Sequence, residues 1–408
     1  MMSNKKVAVI GGGAAGFFGA LQLKEKAPNL EVTIFEKTNK LLSKVKVSGG
    51  GRCNVTHACF NPRELVKNYP RGMNELKSVF SRFQPGDTIQ WFTNNGIELK
   101  TEEDGRMFPV TDSSQTIIDC FISKANRSGV EIKKQKELIS INKKGEQFIL
   151  EFKDEEFLCD AVLVATGGGN KKKFFDHIFN VGHEILEPIP SLFTFNIYDE
   201  DLRALKGLSF QDIEVKVEGT KMNEVGDLLI THWGVSGPGV LKLSAFGAKW
   251  MAEKNYDFSV MINWSGWSQE YFRDILNQEK SNQNKSFVQN VIAEHLPVRL
   301  RRYLVTKSGV IDKKVIDLSK KDINRLVQNF CLCRYEVKGT TTFKEEFVTC
   351  GGVILKEIDF RKMESKLIEN LYLAGEVIDV DGVTGGFNFQ NAWSTSYIAA
   401  SAIAEKLT

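Results

Sequence analysis

Near the start of the chain Lys5-Lys-Val-Ala-Val-Ile10, an apolar run of strand length, passes directly into Gly11-Gly-Gly-Ala-Ala-Gly16 and then into a helical run from Phe17 to Lys26. Strand, glycine turn and helix in that order constrain the chain more than any other feature, because the GxGxxG spacing has a mechanical meaning only in that context. Glycine lets main-chain N–H groups close on a pyrophosphate, and the helix N-terminus brings partial positive charge to the same oxygens. A second strand, Glu31 to Phe35, ends in Glu36, twenty residues past Gly16. A carboxylate there accepts hydrogen bonds from a ribose diol and disfavours a 2′-phosphate. Gly11, Gly13, Ala14, Ala15, Gly16, Glu36 and Lys37 are therefore the expected contacts of the ADP half of a dinucleotide.

The fingerprint by itself suits NAD and FAD alike. A second glycine cluster separates them: Ser48-Gly49-Gly50-Gly51-Arg52-Cys53-Asn54 follows Lys44-Val-Lys-Val47, which reads as strand-like. A flavin needs a ribityl chain and a flat ring buried, and glycines let the main chain lie against a ring edge without Cβ contact. Arg52 and Asn54 carry hydrogen-bonding groups for that edge or for a substrate. A third set lies far along the chain, where Asn370 to Ala374 reads as a strand closed by Gly375-Glu376. Gly385-Gly386-Phe387-Asn388-Phe389 then leads into a helix rich in small residues, Asn391 to Lys406. Such a carboxylate can hold a ribityl hydroxyl, and such a glycine pair can aim N–H groups and the positive dipole end at the flavin N1/C2 carbonyl edge. Residues 131–165 read as strands that end in Ala165-Thr166-Gly167, with Leu138 expected near the adenine.

With 408 residues, 42% of them hydrophobic, the chain holds enough apolar side chain for two or three cores. A formal charge of +3 is too near balance to argue for a nucleic-acid partner, so a small-molecule substrate is the expectation and no nucleic acid is. The start lacks the h-region and cleavage site of a signal peptide, and no uncharged stretch reaches the roughly 18 apolar residues that cross a bilayer. A cytoplasmic protein without membrane contact is expected. Seven scattered cysteines with no CxxC pair point to reduced thiols and no metal centre. Nothing in the sequence specifies an oligomeric state.

In this order, GGGAAG, SGGGRCN, DGRMFPV, ATGGG, GDLLITHWGVSGPGVL and LYLAGEVIDVDGVTGGFNFQNAW resemble the HI0933-like family of FAD-binding oxidoreductases, from residue 5 to about 400. The resemblance implies an α/β fold: a Rossmann-like FAD-binding domain of the glutathione-reductase type over 1–190 and 350–408. It is split by an inserted β-barrel domain, 191–265 and 335–349, which carries a helical insert, 266–334. By motif match Gly11, Gly13, Gly16 and Glu36 would bind the ADP half, Lys44 and residues 48–54 would line the flavin, and Glu376 with 385–390 would complete the site. The implied cofactor is FAD, expected to be noncovalent, and the leading reaction is hydride transfer to or from a small organic substrate. With a single dinucleotide fingerprint, NAD(P)H as a transient electron donor, oxygen as acceptor and another electron donor are equally compatible with the sequence. The chain departs from the family pattern at Ser43, at His57 and from Ala165 to Lys173.

The middle of the chain reads in keeping with that plan. Strands are expected over 193–197, 213–217 and 258–263, helices over 271–276, 287–295, 299–305 and 321–330, and extended chain again over 337–350. Thr231-His232-Trp233-Gly234-Val-Ser236 groups an imidazole, an aromatic face and a hydroxyl on one bent loop. His232 can supply a proton during hydride transfer or fix the barrel junction, with Ser236 beside it. Arg106 can anchor an anionic substrate or serve a turn ion pair. Cys53 and His57 are the conceivable covalent tethers, and the noncovalent reading needs neither. Competing readings are an oxidase of small amines or hydroxy compounds, a fumarate-reductase-like enzyme acting at C=C, and a flavin-dependent tRNA-modification-type protein. The last would use the modest basic cluster Arg299, Arg301, Arg302 and Lys307, which reads as an amphipathic surface helix.

Overall fold

The computed structural model describes residues 5–341 and 348–408. Residues 1–4 and 342–347, and with the latter part of the extended stretch expected over 337–350, lie outside the described residues. The chain divides into two compact units, residues 5–191 with 348–408 and residues 192–341.

The first unit is built on a seven-stranded sheet in the order Ile358–Asp359, Glu364–Ser365, Leu371–Leu373, Ala161–Val164, Lys6–Ile10, Glu31–Glu36, Glu131–Lys134. The last five run parallel, Val7 lying between Ala161 and Val32, and Val9 between Leu163 and Ile34. Parallel strands covered on both faces have no solvent side, which is why Val7, Ala8, Val9, Val162, Leu163 and Val164 are all buried and the strands read as continuous apolar runs. The helix Ala14–Lys26 packs closely on this sheet: a Cβ on Gly19 would lie 2.6 Å from Leu163 Cδ2. Phe18, Trp91, Phe121 and Trp393 build an aromatic core, with ring centroids 4.9 Å apart for Phe18–Trp91 and 5.6 Å for Phe121–Trp393. Each such ring contributes roughly 1.5–3 kcal/mol by leaving water. This is the expected Rossmann-like α/β arrangement.

Two local expectations fail in this unit. Lys44-Val-Lys-Val47 belongs to a short helix, Ser43–Val47, not to a strand. Leu42 takes a left-handed conformation (φ 53°), its carbonyl accepts the Lys46 N–H at 3.0 Å, and Ser114 Oγ donates to the Lys46 carbonyl, so the turn closes locally and leaves no edge for pairing. The last helix, Phe387–Leu407, starts four residues before the expected Asn391.

The second unit is a closed six-stranded barrel in the order Thr194–Ile197, Gly234–Ser236, Asn223–Ile230, Ser209–Val217, Asp257–Asn263, Cys333–Thr341. Its core runs from Phe195, Val215 and Val260 through Trp264 into Leu276, Leu300, Leu304 and Phe330 of the helices, so barrel and helices share one interior. Trp264 is wholly buried and donates from Nε1 to Tyr335 Oη at 3.0 Å, which removes the penalty of an unpaired buried donor. The region read as strands alone also contains the helix Pro238–Glu253. A Cβ on Gly239 within it would lie 3.2 Å from the Gly226 main chain, a tight helix-on-strand contact whose small residues disguised the helix as a loop. The helix expected over 287–295 is one turn, Val288–Val291, because Ile292 is extended and Ala293 has φ 50°.

Candidate active site

The first glycine turn is shaped by its own packing and leaves one face open. A Cβ on Gly11 (φ 115°) would lie 2.3 Å from the Ala165 carbonyl oxygen, and one on Gly16 would lie 1.9 Å from the Gly11 oxygen. Gly13, the residue that opens the first helix, has nothing within 4 Å of its Cβ position. That helix has neither a side-chain cap nor an acidic residue in its first turn, so its leading N–H groups are left for a ligand. Glu36 is held beside the turn, accepting the Gly12 N–H at 2.9 Å through one oxygen and the Thr38 N–H and Oγ1 through the other, each at 2.8 Å. Lys37 Nζ lies 3.6 Å over the Phe174 ring, and burial lowers its pKa. Leu138 is half-buried at the start of a three-stranded sheet, opposite Phe152. Thr166 Oγ1 is buried with no partner among the described residues.

The second glycine cluster is a tight turn, Ser48–Gly51, in which Gly49, Gly50 and Gly51 have φ of 58°, 67° and 86°. Side-chain-bearing residues rarely sustain such a run, and nothing stands within 4 Å of the Cβ positions of Gly50 and Gly51. Ser48 Oγ donates to the Val45 carbonyl. The Arg52 guanidinium lies 3.9 Å over the Phe108 ring and 2.6 Å from Glu102. Arg106 reaches the same Glu102 carboxylate at 3.0 Å and Asp104 at 2.6 Å, so both arginines are braced by one acid. Cys53 is fully buried at φ 63°, and burial pushes its thiol up to about 12. A protonated, enclosed thiol is a poor nucleophile or tether.

The Asn54 amide links this turn to the start of the last helix, donating to the Thr56 carbonyl and accepting the Gly386 N–H, both at 3.0 Å. Gly386 has φ 93°, and a Cβ there would lie 2.5 Å from the Thr56 oxygen. Gly385 is also left-handed, at φ 122°. Like the first helix, the last one has no side-chain cap and no acid in its first turn. Around its start, His57 stacks on Phe387 at 4.7 Å, Asn388 exchanges two 2.8 Å hydrogen bonds with Gly382, and Phe389 stacks on Trp393 at 5.6 Å. His57 donates from Nε2 to the Asp104 carbonyl, its buried Nδ1 has no partner among the described residues, and burial lowers its pKa. Asn391 Oδ1 is likewise buried and unpartnered among the described residues.

Gly375 (φ 76°) donates its N–H to Thr395 Oγ1 and brings Glu376 between two donors: the Lys44 ammonium at 2.6 Å and the Thr349 main-chain N–H at 2.8 Å. Thr349 carries no motif and pairs across 27 residues, so sequence reading missed it. It also missed the cluster in which Arg71 Nε lies 2.5 Å from Asp381 Oδ1 and Ser191 Oγ bonds both residues. Asp381 is completely buried just before the Gly385-Gly386 pair, and burial pushes it up to about 6 despite the guanidinium beside it. Its partner is 310 positions away, so no local pattern announces it.

His232 and Ser236 belong to the second unit. Thr231 Oγ1 accepts the N–H groups of Trp233 and Gly234 at 3.2 Å and closes the loop, and Thr194 Oγ1 donates to Ser236 Oγ at 3.1 Å. His232 is exposed and makes no hydrogen bond among the described residues. Among those residues no cluster of His, Cys, Asp or Glu is placed to hold a metal, and no helix is long and apolar enough to cross a membrane.

Two uncapped helix starts, Cβ-free space over Gly13, Gly50 and Gly51, a carboxylate beside the first turn and unpartnered buried oxygens at Thr166 and Asn391 fit an FAD. Comparison with known proteins agrees. The family model for the HI0933-like protein Rossmann domain matches residues 5–402. The chain is 29% identical to a ribosomal RNA dihydrouridine synthase of Haemophilus influenzae, covering 98% of each protein, and 28% identical to one of Escherichia coli, covering 96% of each. It is 24% identical to a 3-dehydro-bile acid delta(4,6)-reductase of Clostridium scindens, covering 98% of this chain and 99% of that protein. Among solved structures it shares the fold of 3-ketosteroid delta1-dehydrogenase from Sterolibacterium denitrificans, at TM-score 0.54 and 10% identity, over 99% of this chain and 100% of that one. It also shares the fold of a flavocytochrome c3 fumarate reductase, at 0.51 and 14%, over 100% and 79%. The chain belongs to the HI0933-like family and is an FAD-dependent oxidoreductase.

Proposed function

We propose that the chain reduces the C5=C6 double bond of uridine in ribosomal RNA, with NADH or NADPH as the source of the hydride. The observation that carries this reading is the end-to-end likeness to two proteins named ribosomal RNA dihydrouridine synthase, which takes in the barrel and the helices as well as the glycine turns. Charge adds support. Residues 266–334 hold thirteen Lys and Arg against seven Asp and Glu, a local +6 that the whole-chain +3 conceals. Such an excess suits a polyanion.

Bound FAD would supply the hydride that adds to C6. The remaining tasks fall to the chain. The N-terminus of the first helix, with the Gly13 backbone, would hold the pyrophosphate, and Glu36 the ribose. Lys44 and Glu376 would set the ribityl side, and the first-turn N–H groups at Phe387, Asn388 and Phe389 would receive the carbonyl edge of the ring. His232 is proposed to deliver a proton to C5, the carbon next to the C4 carbonyl, so that hydride and proton together replace the double bond.

The likeness to a bile-acid reductase favours a second reading, a small conjugated enone, that uses the same chemistry. The test is anaerobic incubation of the holoenzyme with NADH or NADPH and unmodified ribosomal RNA transcript, followed by digestion and mass analysis of the nucleosides. A uridine product heavier by two hydrogens is expected. Unchanged RNA together with reduction of a 3-oxo-4,6-diene steroid would replace the RNA reading by the enone one.

A further inference from the structure

We infer that Tyr198, Arg203 and Trp233, at one end of the barrel, form a stacking platform for unpaired nucleobases of an RNA; this rests on the RNA reading above. The strands Thr194–Ile197 and Gly234–Ser236 pair antiparallel, Phe195 opposite Val235 and Asn196 opposite Gly234, and the Ile197 N–H donates to the Trp233 carbonyl at 2.8 Å. That register carries Tyr198 and Trp233 out of the barrel at the same end. Arg203 ties them together. Its guanidinium lies 4.5 Å from the centre of the Tyr198 ring, and its Nη2 donates to the Trp233 carbonyl at 3.1 Å.

Tyr198 is 69% exposed and Trp233 50% exposed, while the barrel interior is filled by other residues. Neither ring is needed there. The segment that carries Tyr198 is nonetheless held firmly: Asp199 caps the Leu202 N–H at 2.9 Å and accepts from Tyr303 Oη at 2.7 Å and Lys307 Nζ at 2.9 Å. A cavity of about 370 Å³ opens beside it, lined by Tyr198, Asp199, Lys307, Arg334, Glu336 and Lys338 among others, with Lys307 paired to Asp199 and Arg334 to Glu218 and Glu336. The backbone of Lys338 pairs with Asp257 in the barrel ladder, while its exposed ammonium makes no side-chain hydrogen bond or salt bridge among the described residues and acts on Glu336 only through its charge, which leaves its N–H donors for a phosphate.

Two outward rings and a guanidinium plane offer π-faces that any base can stack on, and cations beside them meet the backbone. Fixing rings and guanidinium in advance lowers the ordering entropy of binding. An apolar enone would instead be expected to seek an enclosed apolar pocket.

The test uses holoenzyme and a short, fluorescently labelled single-stranded RNA with unpaired uridines, followed by anisotropy. Tyr198→Ala/Trp233→Ala is expected to bind roughly ten- to hundred-fold more weakly than wild type, with flavin absorbance and circular dichroism unchanged. Tyr198→Phe/Trp233→Phe, which keeps the π-faces, should bind nearly as wild type does. Undiminished binding by the double alanine variant would overturn the platform and leave the RNA reading standing. Failure of the wild type to retain the RNA would overturn both.

Discussion

Lys44 Nζ lies 2.6 Å from Glu376 Oε2, joining a turn near the beginning of the chain to a strand end 332 positions later. The second Glu376 oxygen is occupied by the Thr349 N–H, so the carboxylate is oriented before any ligand arrives. Because Lys44 is half-exposed, the pair itself adds no more than about 1 kcal/mol to stability. Glu376→Gln keeps the shape and removes the charge. Thermal stability is expected to change little, while flavin fluorescence titration of the apoprotein should give an FAD affinity lowered about tenfold. A large drop in melting temperature with unchanged affinity would make the pair a structural clasp instead.

Gly16 and Gly13 of the first turn should respond in opposite ways. Gly16→Ala forces a methyl to within 1.9 Å of the Gly11 oxygen and should destabilise even the apoprotein, by roughly 1–3 kcal/mol of overpacking. Gly13→Ser meets open space at the position that begins the helix, where serine caps as well as or better than glycine. The apoprotein should melt at the same temperature or slightly higher, yet bind FAD at least about tenfold more weakly, because the hydroxyl claims an N–H meant for the pyrophosphate. Unchanged FAD binding by Gly13→Ser would place the pyrophosphate elsewhere.

These contrasts also indicate what a single sequence can reveal. The strand, turn, helix and acid of residues 5–36 were legible because each acts within one supersecondary unit and carries its own periodicity. The parallel core was legible for a related reason, since strands buried on both faces must be apolar throughout. Lys44–Val47 misled because a single helical turn has too few residues to show a period. Pro238–Glu253 misled because the small residues that let it lie close to a strand also look like a loop. Arg71 and Asp381 were invisible: a buried pair formed across 310 positions leaves no spacing to read. The +6 of residues 266–334 was lost in a sum over the whole chain.

Cys53 sits inside the flavin-side turn but should be chemically silent. With its thiol pushed up to about 12 by burial, the thiolate is roughly one part in ten thousand at pH 8. Iodoacetamide at that pH should leave Cys53 unmodified in the native protein and label it fully after denaturation, as read by peptide mass. Cys53→Ala should retain noncovalent FAD and an unaltered rate of flavin bleaching by the nicotinamide donor. Rapid native labelling, or loss of bleaching in the variant, would restore the thiol to the reaction.

His177, which feels the charge of Lys37, supplies a pH signature. Burial first, and the charge of Lys37 second, bring its pKa down from 6.5 to about 4. Above pH 6.5 the imidazole is neutral in both folded and unfolded chains and contributes no slope. As pH falls, the unfolded chain takes up the proton first, so stability is lost progressively between pH 6.5 and about 4. The full effect is roughly 3 kcal/mol, from 1.36 kcal/mol per pH unit. His177→Gln has nothing to protonate. Unfolding free energies from urea titration of the FAD-saturated protein should therefore fall further between pH 7 and pH 4 for the wild type than for the variant, by about that amount. Parallel falls in the two proteins would mean that His177 titrates in the native state as it does in water.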